Sequence, residues 1–446
     1  MSEPRFSYSL AQLQEMSETV LRLAKEAGAS AAEAEVSLGF GQNVSVRMNE
    51  TETIEYNRDK GVSVSVYFGQ QKGHASTSDL SPQALQDTVA AACNIARYTA
   101  KDEFCGLADA ALMAKNIPDL DLHHPWDVKD DAIALAKVCE AEARSVDARI
   151  TNSEGASVST YEGMFAYANS HGFNGGYASS RHSLSCSVIA DDGQDNMQRD
   201  YWYSTARSAD DLESAQHVGR LAGERTVRRL GSQRIKTAQV PVMFDASISS
   251  GLISHLISAI SGGSLYRKSS FLLDSLGKQV MSPLVTIEEQ PHLLRGLASS
   301  PFDNEGVATA YRTLVKDGVL QGYVLSSYSA RKLGMQSTGN AGGNHNLIVS
   351  HGDLDFNAML KTMGTGLLVT ELLGHGINMV TGDYSRGAAG FWVENGVIVH
   401  AVEEITIAGN LADMFKQIVA IGNDVLVQGS KQIGSVLIEH MTVAGD

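Results

Sequence analysis

Residues 32–69 read AEAEVSLGFGQNVSVRMNETETIEYNRDKGVSVSVYFG. Apolar and polar side chains alternate through most of this stretch, the period that sends successive side chains to opposite faces of a sheet. Three or four short strands are expected here. On either side the period lengthens to that of a helix. Upstream, Leu10, Leu13, Met16, Val20, Leu21 and Leu23 recur at helical spacing between a capping Ser9 and a terminating Gly28. Downstream, residues 79–100 (DLSPQALQDTVAAACNIARYTA) read as a helix with Ser81 as cap and Pro82 at its first position. A third helix is expected over about Val128 to Val146 and an antiparallel meander over 150–193. A fourth helix is expected over Ala209 to Leu230, with Arg225, Arg228 and Arg229 where the macrodipole favours cations.

The polar stretch GSQRIKTAQV (231–240) follows, and a domain boundary is placed near residue 235. Beyond it come the strand QVPVMFD and one helix from Ala246 to about Ser261, then mostly strands. Asp317-Gly318 and Asn395-Gly396 are two-residue hairpin signals. The expected fold class is α+β. Residues 1–235 form an N-terminal α+β domain with an antiparallel sheet and long helices, and residues 236–446 a β-rich domain around one central helix.

At about 150 residues per domain, 446 residues suit two or three domains. Hydrophobic content of 43% is enough for a sizeable core. The net charge of −16 argues against nucleic acid as a partner, because phosphate binding needs clustered Lys and Arg. Cys93, Cys105, Cys139 and Cys186 lie far apart without C-x-x-C spacing, so neither a zinc ribbon nor a disulfide framework follows. Cys93 and Cys139 fall in helical patterns and read as buried thiols. MSEPRFSYSL has no basic or apolar leader region, and no stretch approaches about 18 apolar residues. A reducing, cytoplasmic location without membrane association is expected.

The chemistry-bearing motifs are few. No G-x-S-x-G elbow, Walker A or strand–GxGxxG–helix unit occurs. STGNAGGNHN (337–346) is Gly-rich, but no apolar helix pattern follows it, so it reads as a surface or binding loop rather than a phosphate cradle. TELLGHG (370–376) is one substitution from His-Glu-x-x-x-His-Gly, yet its flanks are rich in Gly and β-branched residues and read as strand and turn. Off a helix, Glu371 and His375 do not converge on one ion. SISSGLISHLISAISGG (247–263) is apolar nearly all round, through Ile248, Leu252, Ile253, Leu256, Ile257 and Ile260. Its lone His255 reads as a core histidine, and nothing in the sequence makes His345 or His351 converge with it.

Five stretches carry a resemblance: ANSHGFNGGYASSRHSLS (168–185), GGSLYRKSSFLLDSLGK (262–278), SSYSARKLGMQSTGNAGG (326–343), TGDYSRGAAGFWVENG (381–396) and IAGNLADMFKQIVAIGND (407–424). Together they closely resemble the TldD/PmbA family, and within it the TldE-type chains. The resemblance implies a cytoplasmic complex of a TldD-type and a TldE-type chain. That complex is a zinc metallopeptidase acting on short or unfolded peptides, including precursors of peptide antibiotics and an antitoxin. The family also carries an older label, modulator of DNA gyrase.

In the TldD-type chain, HExxxH lies in the central helix and a Cys near the C-terminus completes the metal site. Carried over to this sequence, the first His is His255, the Glu is Leu256, the second His is Ile260 and the Cys is Ile433. One of the four side chains remains, as a vestigial position. Leu256 cannot activate water, and a single imidazole cannot fill zinc's protein positions. The implied role is a non-catalytic subunit, inactive alone, with no metal of its own and zinc in its heterodimer partner. A homodimer in the partner's absence is a further expectation. Substrate contact is expected at Tyr266, Arg267 and Lys268, and at Ser337, Thr338, Gly339 and Asn340 in the loop reaching Gly343. Two alternatives stand beside this: a self-sufficient metallopeptidase using His255, His345, His351, Glu371 and His375, and a non-enzymatic regulator of a protein partner.

Overall fold

The computed structural model describes residues 5–128, 131–193 and 197–445. The 32–69 stretch forms two long strands, β1 (Ala31–Arg47) and β2 (Glu50–Phe68), rather than three or four short ones. Only Met48-Asn49 turns the chain, with φ of 51° and 66°, the left-handed pair that matches the twist of a two-residue hairpin. Gly39 and Gly41 do not break β1, because the Tyr161 ring from the neighbouring strand lies over them; a Cβ at Gly39 would sit 3.0 Å from its hydroxyl. β3 (Gln71–Thr77), β4 (Ile150–Asn169), β5 (Asn174–Asp191) and β6 (Met197–Ala206) complete an antiparallel sheet ordered β3-β2-β1-β4-β5-β6.

Four helices cover one face of this sheet. α1 (Leu10–Glu26) and α2 (Pro82–Tyr98) pack on Ala32, Ala34, Val36, Val62, Val64 and Val66. α3 (Asp131–Ser145) and α4 (Ala215–Arg228) cover the far end, against Val44, Val158, Leu184 and Val188. Ser9 and Gln12 form a reciprocal capping box on α1, and the Ser81 hydroxyl accepts from the Ala84 amide on α2. α4 begins six residues later than the sequence suggests. Ala209–Asp211 is an isolated 3-10 turn capped by Ser208, and Ser214 is the true cap of α4. The expected start of α3 at Val128 abuts residues 129 and 130, which lie outside the described residues.

The C-terminal half opens with β7 (Ala238–Phe244), α5 (Ala246–Ala259) and α6 (Gly262–Tyr266). There follow β8 (Ile287–Gln290), β9 (Arg312–Lys316), β10 (Val319–Leu320), α7 (Ser327–Lys332), β11 (Asn346–Val349) and α8 (Phe356–Met363). β12 (Gly366–Leu373), β13 (Asp383–Glu394), β14 (Val397–Asn410), α9 (Leu411–Lys416), β15 (Ile418–Ile421), β16 (Lys431–Gln432) and β17 (Val436–Ala444) end the chain. One sheet runs β10-β9-β8-β11-β16; the other runs β14-β13-β12-β7-β17-β15. The second curls on itself, because β14 also pairs with β17. Asp317-Gly318 and Asn395-Gly396 make the expected hairpin turns. α5 shares one core with both sheets: Leu252, Ile253, Leu256 and the capping Ile260 cluster with Val242, Phe244, Leu367 and Ile438 of one sheet and Ile287, Leu314 and Leu347 of the other.

The α3–α4 contact is unusually close. A Cβ at Gly219 would fall 2.1 Å from the Cys139 carbonyl oxygen, and one at Gly223 would fall 2.5 Å from that of Ala143. In an exposed helix Gly→Ala gains about 1 kcal/mol, whereas overpacking costs about 1–3 kcal/mol or more. Gly219→Ala is therefore expected to lower the urea-unfolding free energy. An unchanged or raised stability would contradict this packing.

Candidate functional site

The metal positions named by the resemblance lie on and beside α5. Asp245 starts the helix by accepting from the Ser247 amide. The helix closes at Ile260, its C-cap, whose amide donates to the Leu256 carbonyl at 3.0 Å. Leu256 and Ile260 are fully buried and Ile433 nearly so, all in the shared core. His255 is half-buried, its ring edge-on to Tyr384 with centroids 6.0 Å apart. Burial first, and the Arg386 charge second, push its pKa below the ordinary imidazole value. Three hydrocarbon side chains and one imidazole do not fit zinc, which takes at least three N, O or S donors from protein.

The other candidate ligands are dispersed. TELLGHG is the end of β12 and a turn. Glu371 is held by Arg229 at 2.5 Å, and His375 is exposed beyond Gly374, whose φ is +72°. His351 is exposed, with its Nδ1 2.8 Å from the Gly352 carbonyl oxygen. Among the described residues, no three His, Cys, Asp or Glu side chains gather around one point.

The Gly-rich loop is held from inside the fold. Glu289 is 1% exposed and accepts from the His345 amide at 2.7 Å, Asn340 Nδ2 at 2.8 Å and Arg312 Nε at 2.6 Å. Burial would raise this carboxyl, but the His345 hydrogen bonds and the Arg312 charge outweigh it and hold the pKa at about 2. Thr338 exchanges hydrogen bonds with the backbone of Leu325, and a Cβ at Gly339 would meet the Ala308 carbonyl at 2.7 Å. The side chains of Thr338 and Asn340 are thus used inside the fold, and Ser337 is half-buried against Leu325. The other expected contacts are open: Arg267 and Lys268 are exposed, and the Arg267 guanidinium lies 5.2 Å over the Tyr266 ring.

A cleft of about 570 Å³ opens between the two halves. Its floor is the sheet face opposite the helices, with Glu33, Glu35, Tyr67 and Tyr167; its other wall holds Glu305, Tyr328 and Ala341. Tyr266 reaches the rim by packing edge-on against Tyr328. Tyr67 and Tyr167 donate to the two Glu33 oxygens at 2.8 and 2.9 Å, and Lys72 approaches at 3.2 Å. Burial, then the Glu33 charge, pushes both phenols up. Solvent reaches Glu35, yet the walls around it raise its carboxyl as well. Burial raises the thiol of the lining Cys105, which is the reverse of activation for attack. The cleft offers acceptors for ammonium and amide groups, with no activated nucleophile among its lining residues. Sequence reading missed it: the alternation places Glu33 and Glu35 together, but not which remote loops close over them.

Glu289 gives a pH signature. Its pKa is lowered from 4.5 to about 2, so its contribution is present above pH 4.5 and lost as pH falls towards 2. The shift corresponds to about 3 kcal/mol. Glu289→Gln is expected to lower stability at pH 7 by about 3 kcal/mol and to flatten the acid limb of unfolding free energy against pH. An acid limb as steep as in the parent protein would refute the assignment.

Comparison with known proteins agrees with this architecture along the whole chain. Family models of the PmbA/TldA metallopeptidase match as domain 1 over residues 32–96, the central domain over 123–230 and the C-terminal domain over 237–445. Metalloprotease PmbA of Escherichia coli O157:H7 is 52% identical over 97% of this chain and 96% of its own length. The Metalloprotease PmbA homolog of Haemophilus influenzae is 51% identical over 98% of this chain and 97% of its own. A crystal structure from Bacteroides thetaiotaomicron, named for modulation of DNA gyrase, superposes with a TM-score of 0.92 at 31% identity, over 97% of this chain and 99% of that one. TldE of Thermococcus kodakarensis shares the fold at a TM-score of 0.83 and 19% identity, over 96% of this chain and 100% of that one. The chain belongs to the PmbA/TldD metallopeptidase family, among its PmbA members.

Proposed function

We propose that this chain is the non-catalytic subunit of a two-chain zinc metallopeptidase, paired with a TldD-type chain that carries the metal. The observation that carries the reading is the hydrocarbon at Leu256, Ile260 and Ile433, where the ligand and general-base positions of a metal helix would stand. The role left to the chain is to complete and shape a chamber for short or unfolded peptides, with α5 as packing rather than chemistry. Acceptor-lined clefts and open strand edges suit extended peptides, which pair through their backbones with little demand on sequence. The dispersal of His345, His351, Glu371 and His375 weighs against a rearranged metal site in this chain. A role as a gyrase-directed regulator is weaker, and with a net charge of −16 its weakest form is direct contact with DNA. The four cysteines are free, and among the described residues no helix is long and apolar enough to cross a membrane; both suit the cytoplasmic setting we assign.

The test is hydrolysis of an unstructured peptide by this chain, by its TldD-type partner and by the two together, followed by mass spectrometry. Cleavage is expected from the mixture and not from this chain alone. His255→Ala in this chain should leave the mixture's rate within about twofold, since a lone half-buried imidazole supplies neither a complete zinc site nor a general base. Zinc-dependent cleavage by the isolated chain, abolished by His255→Ala, would overturn the proposal.

A further inference from the structure

We propose that a second cleft, beside α5, takes the C-terminal carboxylate of a peptide with an apolar last side chain, and that Arg386 is its anchor. The inference rests on the peptide-processing reading above and adds a site to it. The cleft has a volume of about 320 Å³, room for one or two residues. Ser247, Ile248, Ser250 and Gly251 of α5 line one side, the end of β12 another, and Tyr201, Trp202 and Tyr203 of the edge strand β6 face them.

The charges in this cleft do not cancel. Three arginines line it, Arg199, Arg225 and Arg386, with two carboxylates, Asp200 and Glu371. Both carboxylates are engaged: Asp200 with Arg225 at 3.4 Å and Arg229 at 3.7 Å, Glu371 with Arg229 at 2.5 Å. Arg199 has its own partner, Glu154, at 2.5 Å. Among the described residues Arg386 has no carboxylate partner. Its Nη2 donates to the Leu372 carbonyl at 3.3 Å, and among the described residues its buried Nε meets no acceptor in hydrogen-bonding geometry. Two residues along the same face of β13, the fully buried Tyr384 is the neighbour of this guanidinium: burial raises its phenol, and the Arg386 charge and hydrogen bond oppose that rise. A partly desolvated guanidinium without a counter-ion is costly, and a bidentate carboxylate would relieve it.

The surroundings select the rest of the ligand. Trp202 is fixed by donation to Glu213 at 2.8 Å and lies under the Arg225 guanidinium at 5.2 Å. Tyr201 and Tyr203 stack at 6.3 Å. Trp202 points to the helix-covered face of β6, so the two tyrosine rings offer the apolar wall to the side chain next to the carboxylate. A bulge in β12 leaves Thr370 outside the pairing with β13, where its side chain lines the cleft. Bulges re-aim side chains in this way beside binding sites.

The test is calorimetric titration of the purified full chain with N-acetyl-Ala-Ala-Phe as free acid and as C-terminal amide. The free acid is expected to bind about tenfold more tightly or better, the worth of a charge-assisted hydrogen-bond pair. Arg386→Gln should abolish the preference and Arg386→Lys keep part of it, with thermal melting as the check on folding. Tyr201→Ala, at the exposed rim, should weaken both peptides and leave their ratio unchanged. Equal affinity for acid and amide, binding of neither, or a preference surviving Arg386→Gln would each overturn the proposal. The two proposals fail separately. Partner-dependent hydrolysis without acid preference would remove this site alone, and acid preference without partner-dependent hydrolysis would remove the metallopeptidase role alone.

Discussion

Both sheets of the C-terminal half are packed on one hydrocarbon helix, and the rest of the structure depends on that contact. α5 is buried through Leu252, Ile253, Leu256 and Ile260 against strands from each sheet. Truncating one such side chain to Ala costs about 2–5 kcal/mol, a large share of a domain's net stability. The same contact restricts chemistry. Residues five apart on an α-helix are rotated by about 140°, so a metal bound at both 255 and 260 would need a distorted turn. Here that turn closes the helix, with the amide of the capping Ile260 on the Leu256 carbonyl, and both side chains of that bond are core. A helix committed to joining two sheets is available to a partner as scaffold.

The clefts lie where the halves meet, and hydrogen bonds and an ion pair cross the boundary. Arg331 donates from Nη1 to the carbonyls of Phe104 and Gly106, each at 3.1 Å, and Tyr328 donates to Asp102 at 2.7 Å. Arg295 reaches Asp121 at 2.6 Å. On the acid-lined side, Glu289 fixes the loop that carries Ala341 into the cleft wall. Beside α5, Arg229 engages both carboxylates of the second cleft, Asp200 and Glu371. Two clefts of opposite character therefore flank the junction, one rich in acceptors and one with an uncompensated cation.

Much of the fold was legible because it rests on local chemistry. The caps Ser9 and Ser81 and the Asp317-Gly318 and Asn395-Gly396 turns each act within a few residues. The number of strands in 32–69 was not legible, because Tyr161, more than a hundred residues away, lets Gly39 and Gly41 continue a strand. The start of α4 was misplaced because Ser208 and Ser214 are both competent caps, and only packing shows which one begins a helix. Strand and turn at TELLGHG followed from its glycines and β-branched flanks, and that removed the motif's apparent helical register. The clefts were hidden for a different reason. Glu33, Glu305, Arg386 and Tyr203 are ordinary surface residues in sequence and become walls only when the two halves meet.

The measurement closest to the central claim is the zinc content of the purified chain, expressed without its TldD-type partner and never exposed to an immobilised-metal column. The account predicts a value near zero by elemental mass spectrometry, unchanged by His255→Ala or His375→Ala. About one zinc per chain, lost when either histidine is replaced, would contradict it and make this chain a metallopeptidase in its own right.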